Sequence, residues 1–473
     1  MRSMTRQADA QNVDAVLDRA AGLGREFLAG LVERHVAPPV AVDSLRQALG
    51  GPLADAGEDP CVVVEALARG AGPGIVASAG PRYFGFVTGG VLPAALGADW
   101  LATAWDQNAW TYVASPAASV VEEVAGQWLI DLFGLPPTAS VGFTTGATMA
   151  NFAALAAARH AVLARVGYDV EEQGLAAAPE IALFAGEAAH ATIVAAVQML
   201  GLGRARVRRV AADDAGRMRP DPLREALAAG AGPAIVCAQA GEVNTGSFDP
   251  FDQIAALCRE RGAWLHVDGA FGLWAAASPA LRHLVRGVDA ADSWTVDGHK
   301  WLNVPYDCGY VFVRDGASHR GAVTVDAPYY PQATAGRENS QFVAESSRRA
   351  RGFATWAALR SLGRQDVADL VERCCALARR MADRLRAADR VDVLNDVVLN
   401  QVLVRFRSPV EDDDDFTREV IRRIQADGTC WLGGTIWRGR AAARISISNA
   451  STTEADVDLS AAAILACARA GRE

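Results

Sequence analysis

Lysine is almost absent. Of the 46 lysines and arginines in the 473-residue chain, one is a lysine, Lys300. Arginine solvates a surface as well as lysine does, so an Ala- and Arg-rich composition can shed surface lysines freely. It cannot serve where an amine must give up its proton: the guanidinium stays charged in proteins, whereas a buried lysine can become a neutral nucleophile. Lys300 is therefore either a chance survivor or the Schiff-base-forming amine of an active site, and its neighbours must decide. Other absences exclude whole classes. The eight cysteines form no Cys-x-x-Cys pair, so neither a zinc site nor a redox dithiol is expected, and no metal. No charge-free apolar run of about 20 residues is present, so no membrane span is expected. The opening MRSMTRQADAQNVD lacks the apolar stretch of a secretory signal. A reduced, cytoplasmic protein off the membrane fits these features. There is no excess of positive charge either: the net charge is −9, which argues against nucleic acid as a partner. What is abundant is apolar material, 51% of residues against 21% charged, enough for a large core.

The first hundred residues read as helices, broken at His35–Pro39. A Gly/Pro-rich stretch, GAGPGIVASAGPRYFGFVTGG, must be loop. Helical stretches follow near 92–108 and 117–134. From about residue 140 short apolar runs alternate with helices: 181–185, 205–210, 234–240, 263–267, 292–296 and 310–313 read as strands. That alternation predicts a largely parallel sheet covered on both faces, with ligands beyond the C-terminal strand ends. After about 345 come a helical region to 388 interrupted at Gly363, strands at 401–406 and 444–449, and a helix near 416–427. The acidic run 411–415 reads as a solvated loop before that helix. Three units are expected: a helical segment 1–110, a large α/β domain 111–345 and a smaller α+β domain 346–473.

Four features carry chemistry. Lys300 follows the strand DSWTV, and Asp268 follows the strand AWLHV. TTGATMAN (144–151) puts small and hydroxyl residues before an Ala-rich helix, a turn able to present N–H groups to a phosphate or simply an N-cap. His190 stands at a loop-to-helix junction, where a lone histidine is usually structural. Together, a phosphate cradle, an amine, an acid and a flat ring fit pyridoxal 5′-phosphate (PLP).

The chain resembles the group II PLP-dependent decarboxylases, the family of aromatic-L-amino-acid and glutamate decarboxylases. The resemblance is carried by PRYFGF, TTGATMAN, AAHAT (188–192), HVDGAFG (266–272), ADSWTVDGHKWLNVPYDCGYVFV (291–313), SRRARGFATWAALRSLG (347–363) and TIWRGRAAARISISN (435–449). It implies an α/β protein of PLP fold type I, acting as a homodimer. It implies that Lys300 bears the cofactor, Asp268 holds the pyridine nitrogen protonated and His190 stacks on the ring. Gly146, Ala147 and Thr148 would bind phosphate with His299 beside them. Tyr329, with Tyr330 as the alternative register, would be the catalytic tyrosine of a loop over 318–341 expected to be mobile. Phe86 and Thr88 would line the substrate pocket.

Two positions depart from the family's pattern. Val243 stands where aromatic members have a threonine near the cofactor's phenolic oxygen, leaving Asn244 or Thr245 to supply that contact. Asp297 replaces an asparagine that commonly helps bind phosphate, and an unneutralised carboxylate there would repel a dianion. The function implied is decarboxylation of an L-amino acid, aromatic by preference, to the amine. A decarboxylating aldehyde synthase, an aminotransferase using Arg444 on the substrate carboxylate, and a catalytically silent binding protein are the alternatives. Asp106, Gln107 and Asn108 are polar candidates for the substrate side chain or for caps and subunit contacts.

Overall fold

The computed structural model describes residues 6–324, 336–410 and 412–469. Its centre is a seven-stranded sheet of β1 (Ser140–Thr144), β2 (Ala182–Gly186), β3 (Val207–Val210), β4 (Ala234–Gln239), β5 (Trp264–Asp268), β6 (Ser293–Asp297) and β7 (Gly309–Val313), in the order β1-β7-β6-β5-β4-β2-β3. Only β7 runs against the others. Each residue of β4, β5, β6 and β7 is buried, as a sheet with helices on both faces requires. The Ala-rich helix Ala147–Ala164 lies across β5, β6 and β7, its alanines allowing close approach.

A second sheet, antiparallel, joins β8 (Val391–Val393), β9 (Gln401–Phe406), β10 (Gly433–Trp437) and β11 (Arg440–Ser446) in the order β10-β11-β9-β8. The helix Gly352–Arg386 leads to it, and Gly363, at φ 64°, breaks that helix where the sequence placed the interruption. Among the described residues, five α-helices precede the Ala-rich helix: Arg6–Ala29, Val42–Leu49, Pro60–Ala71, Pro93–Trp105 and Pro116–Phe133.

Three strands escaped the sequence reading. β1 and β10 carry glycines, and β8 is three residues long; each owes its conformation to pairing rather than propensity. β11 begins four residues earlier than expected, through alanines that bond to β9 and β10 on either side. The acidic run is not a loop before a helix. Asp413, Asp414 and Asp415 form the first turn of the helix Asp413–Asp427, and Asp412 caps it by accepting from Asp414 and Asp415 N–H. Negative charge at a helix N-terminus is favourable there.

Distant segments are tied at Asn303, three residues past Lys300. Its Oδ1 accepts from Gly90 N–H at 2.6 Å and Ala450 N–H at 2.8 Å, while its Nδ2 donates to Ser448 O at 3.0 Å. Its carbonyl accepts from Leu92 N–H at 2.8 Å. A Cβ on Gly89 would lie 1.9 Å from the Lys300 carbonyl oxygen, so only glycine lets the two loops touch.

Candidate active site

The sheet's geometry brings the chemistry to one edge. Asp268 and Asp297 are the last residues of the parallel neighbours β5 and β6. Gly146 follows β1, His190 follows β2, and Lys300 follows β6. This is the edge where α/β sheets bind ligands.

Asp297 is the hub of the lysine side. Its Oδ2 lies 2.9 Å from Lys300 Nζ. Its Oδ1 accepts from Ala147 N–H at 2.6 Å and stands 3.6 Å from His299 Nε2. The repulsion feared from this carboxylate is therefore answered by an ammonium and a helix N-terminus. His299 Nδ1 accepts from Cys308 N–H, so its proton sits on Nε2, and its ring stacks on Tyr306 with centroids 4.4 Å apart. Burial holds the His299 imidazole below its ordinary pKa. Gly146 has no side chain to fill the space before the helix: a Cβ there would sit 3.0 Å from His299 Cε1, and one on Gly309 would sit 2.5 Å from Gly146 Cα. Thr148 is exposed in the helix's first turn.

Asp268 is 5% exposed. It accepts from Asn151 Nδ2 at 3.1 Å and from Ala270 N–H at 3.1 Å, with Thr192 Oγ1 at 3.5 Å. His190 Nδ1 accepts from Thr192 N–H and lies 2.9 Å from Thr192 Oγ1. Loss of water around its ring lowers its pKa; Asp268 opposes that, while Lys300 and Arg444 reinforce it. The imidazole is thus neutral at physiological pH, with its proton on Nε2. Arg444 projects from β11, half-buried, and feels the charge of the Glu242 carboxylate. Burial lowers its pKa.

An aromatic wall flanks this edge. Tyr83 stacks on Trp431 with centroids 5.1 Å apart, and Phe86 leans on the same indole at 5.3 Å. Phe86 and Val87 are both left-handed, at φ 54° and 56°, and Phe86 is 63% exposed. Burial, then the nearby Tyr306, push the Tyr83 phenol up to about 12. Thr88 is buried, its carbonyl accepting from Ser448 Oγ. Trp431 was missed because a lone tryptophan before two glycines reads as a core residue.

Other candidates are otherwise engaged. Asn244 and Thr245 were to replace the hydroxyl missing at Val243. Instead both side chains donate to the buried Glu242 carboxylate, Thr245 Oγ1 also reaching Ala215 O and Asn244 Oδ1 accepting from Thr435. Asp106 ends the helix Pro93–Trp105, Gln107 donates to Trp105 O, and Asn108 brackets Ser347 and Arg348, which are capping and bridging roles. Tyr329 and Tyr330 lie outside the described residues.

The residues present fit PLP. The side-chain-free turn at Gly146 opens onto a helix N-terminus, an amine stands beside it, and a multiply hydrogen-bonded carboxylate waits further along the edge.

Comparison with known proteins agrees. The model described as pyridoxal-dependent decarboxylase conserved domain matches residues 47–408. Tryptophan decarboxylase 1 of Oryza sativa subsp. japonica is 28% identical over 94% of this chain and 91% of its own length. Acidic amino acid decarboxylase GADL1 of Mus musculus is 28% identical over 76% of this chain and 68% of its own. The 4-hydroxyphenylacetaldehyde synthase of Rhodiola rosea is 25% identical over 92% and 90%. The crystal structure of Oryza sativa TDC with PLP and tryptamine superposes with a TM-score of 0.92 at 25% identity, covering 99% of this chain and all of that one. The architecture is fold type I, and the cofactor is PLP.

Proposed function

The chain belongs to the pyridoxal-dependent decarboxylase family, and from that premise we propose that this amino-acid decarboxylase acts on aromatic L-amino acids and releases the amine. The observation that carries the substrate class is the wall of Tyr83, Phe86 and Trp431 beside the Lys300 loop. Flat faces with a phenol kept protonated suit an aromatic side chain better than a carboxylate. Measuring CO2 release from each of the twenty amino acids tests this; faster turnover of aspartate or glutamate than of tryptophan, tyrosine or phenylalanine would overturn it.

Bound PLP supplies the electron sink into which the bond to CO2 breaks. The protein supplies orientation and fixed charge. Lys300 is the amine that carries the cofactor, held ready by Asp297. Gly146, Ala147 and Thr148, with His299 beside them, take the phosphate at the helix N-terminus. Asp268 would keep a proton on the pyridine nitrogen, and the neutral His190 ring would stack against the cofactor. Arg444 is available to the substrate carboxylate, in an aminotransferase as much as in a decarboxylase. Thr88 and Phe86 border the substrate.

The proton returned to Cα is assigned to Tyr329. A phenol, with an ordinary pKa of about 10, is a suitable acid for so basic a carbon. Tyr329→Phe keeps the ring and removes that proton, so dioxygen gains time to react. The variant should lose amine production by about two powers of ten and gain aldehyde, ammonia and hydrogen peroxide in air. Assaying amine and peroxide from Tyr329→Phe and Tyr330→Phe checks it: amine at the wild-type rate from the first, with loss in the second, moves the role to Tyr330. Peroxide from wild type in step with CO2 would make the enzyme an aldehyde synthase, like its Rhodiola rosea relative.

The active unit is proposed to be a homodimer. Of the 26 exposed large hydrophobic side chains among the described residues, 18 precede residue 121, including Leu17, Leu67, Trp100 and Trp105. So dense an apolar surface in a quarter of the chain calls for a partner. Sedimentation should give twice the mass of the chain; a fully active monomer would contradict this.

A further inference from the structure

His266, Ser293 and Asn151 play no part in the roles assigned above, yet each is fully buried. They form a polar rung between β5, β6 and the helix Ala147–Ala164. The strand register explains their meeting: His266 lies opposite Ser293, and Asp268 opposite Thr295, on adjacent strands. Asn151 comes down onto them from the helix Ala147–Ala164.

The hydrogen bonds have one possible direction. Trp264 Nε1 can only donate, so Ser293 Oγ accepts from it at 2.9 Å; the same Oγ stands 2.9 Å from His266 Nδ1. Asn151 Oδ1, 2.9 Å from His266 Nε2, can only accept, so the neutral His266 carries its proton on Nε2 and its Nδ1 accepts from Ser293 Oγ. The Asp268 carboxylate, an acceptor 3.1 Å from the amide nitrogen, fixes the orientation of the amide, and Thr295 then donates to the same oxygen at 2.8 Å. Both amide protons now face away from the rung. One goes to Asp268 Oδ2 at 3.1 Å and the other to Thr192 Oγ1 at 3.2 Å. Thr192 Oγ1 lies nearer His190 Nδ1, at 2.9 Å, than Asp268 Oδ2, at 3.5 Å, so its proton is best used on His190. Burial pushes the His266 imidazole down to about 4, so it stays neutral at physiological pH.

We propose that His266 and Asn151 are positioning residues: a one-way relay running from Trp264 through Ser293, His266 and Asn151, which orients the Asp268 carboxylate toward the pyridine nitrogen and holds His190 in its Nε2–H tautomer. The proposal rests on the reading of Asp268 as the partner of that nitrogen. Asn151 is its branch point, because its two protons serve the two residues assigned to the ring. The effect is cooperative, each donor sharpening the next in a site of low dielectric.

The test reads the nitrogen itself. The protein is reconstituted with PLP carrying 15N in the ring, and the 15N chemical shift reports whether that nitrogen holds a proton. In wild type it should be protonated at neutral pH. His266→Phe should move the shift toward the unprotonated position and lower kcat about tenfold, the scale of losing an outer hydrogen-bond partner, with KM within about twofold. His266→Gln, whose amide can donate from near the Nε2 position, should keep the wild-type shift. A folded His266→Phe protein with an unmoved shift overturns the relay. If that variant does not fold, Thr295→Val, which removes the second donor to Asn151, should shift the signal the same way by less, and no shift overturns the relay. Asp268→Asn separates the two ideas: if it leaves the signal unmoved, the assignment of Asp268 fails; if it moves the signal and the His266 and Thr295 variants do not, only the relay fails.

Discussion

Lys300→Arg should lose turnover by at least three to four powers of ten while the protein stays folded, the scale seen when a covalent participant is removed. The guanidinium can keep the ion pair with Asp297, so the charge balance at the helix N-terminus survives. It cannot become a neutral nucleophile. The sequence makes the companion experiment unusually clean. Borohydride treatment of the loaded protein should fix the cofactor to one peptide, because no other lysine exists to compete; the N-terminal amine is the sole other candidate. Peptide mapping with the label at Lys300, and its loss in Lys300→Arg, is the expected pair of results. Retained turnover in the variant would sink the reading.

Asp268→Asn should come next in size. Asparagine has nearly the same shape, and Ala270 N–H can still find an oxygen at position 268. The fold and the bound cofactor should therefore persist. What disappears is the negative charge, and with it the proton on the ring nitrogen that makes the cofactor a strong electron sink. A fixed charge in a dry site of this kind is worth roughly three powers of ten in rate, or about 4 kcal/mol. Steady-state kinetics on protein with wild-type cofactor content would decide it; a rate within about tenfold of wild type would remove Asp268 from the role.

The large sheet was legible because its inner strands must be mostly apolar, and AIVCA in β4 and GYVFV in β7 are. Strands held mainly by partners were not: Gly433 and Gly434 in β10 have no propensity to announce. The same limit applies within the site. Lys300 stood out by composition and the motifs around it by resemblance, but the relay joins residues 115 and 117 positions apart, and no local pattern couples Asn151 to His266 or Asp268. One faint signal was available. His266 and Asp268 on one strand, and Ser293 and Thr295 on its neighbour, set polar groups at period two where a strand buried on both faces should have none. Asp297 shows the converse. Its charge looked hostile to a phosphate in sequence, and only the geometry supplied the ammonium and the helix end that balance it.

The knot at Asn303 has a consequence for how the protein is born. Its side chain fixes the lysine loop by gripping Gly90 on one side and Ser448 and Ala450 on the other. The second grip is 145 residues downstream, which at a synthesis rate of about 5–20 residues per second is on the order of ten seconds of translation. Until then the nascent chain holds Lys300 on a loop with half its anchors missing. Capture of the cofactor on a fully anchored lysine loop therefore doubles as a sign that translation has passed residue 450.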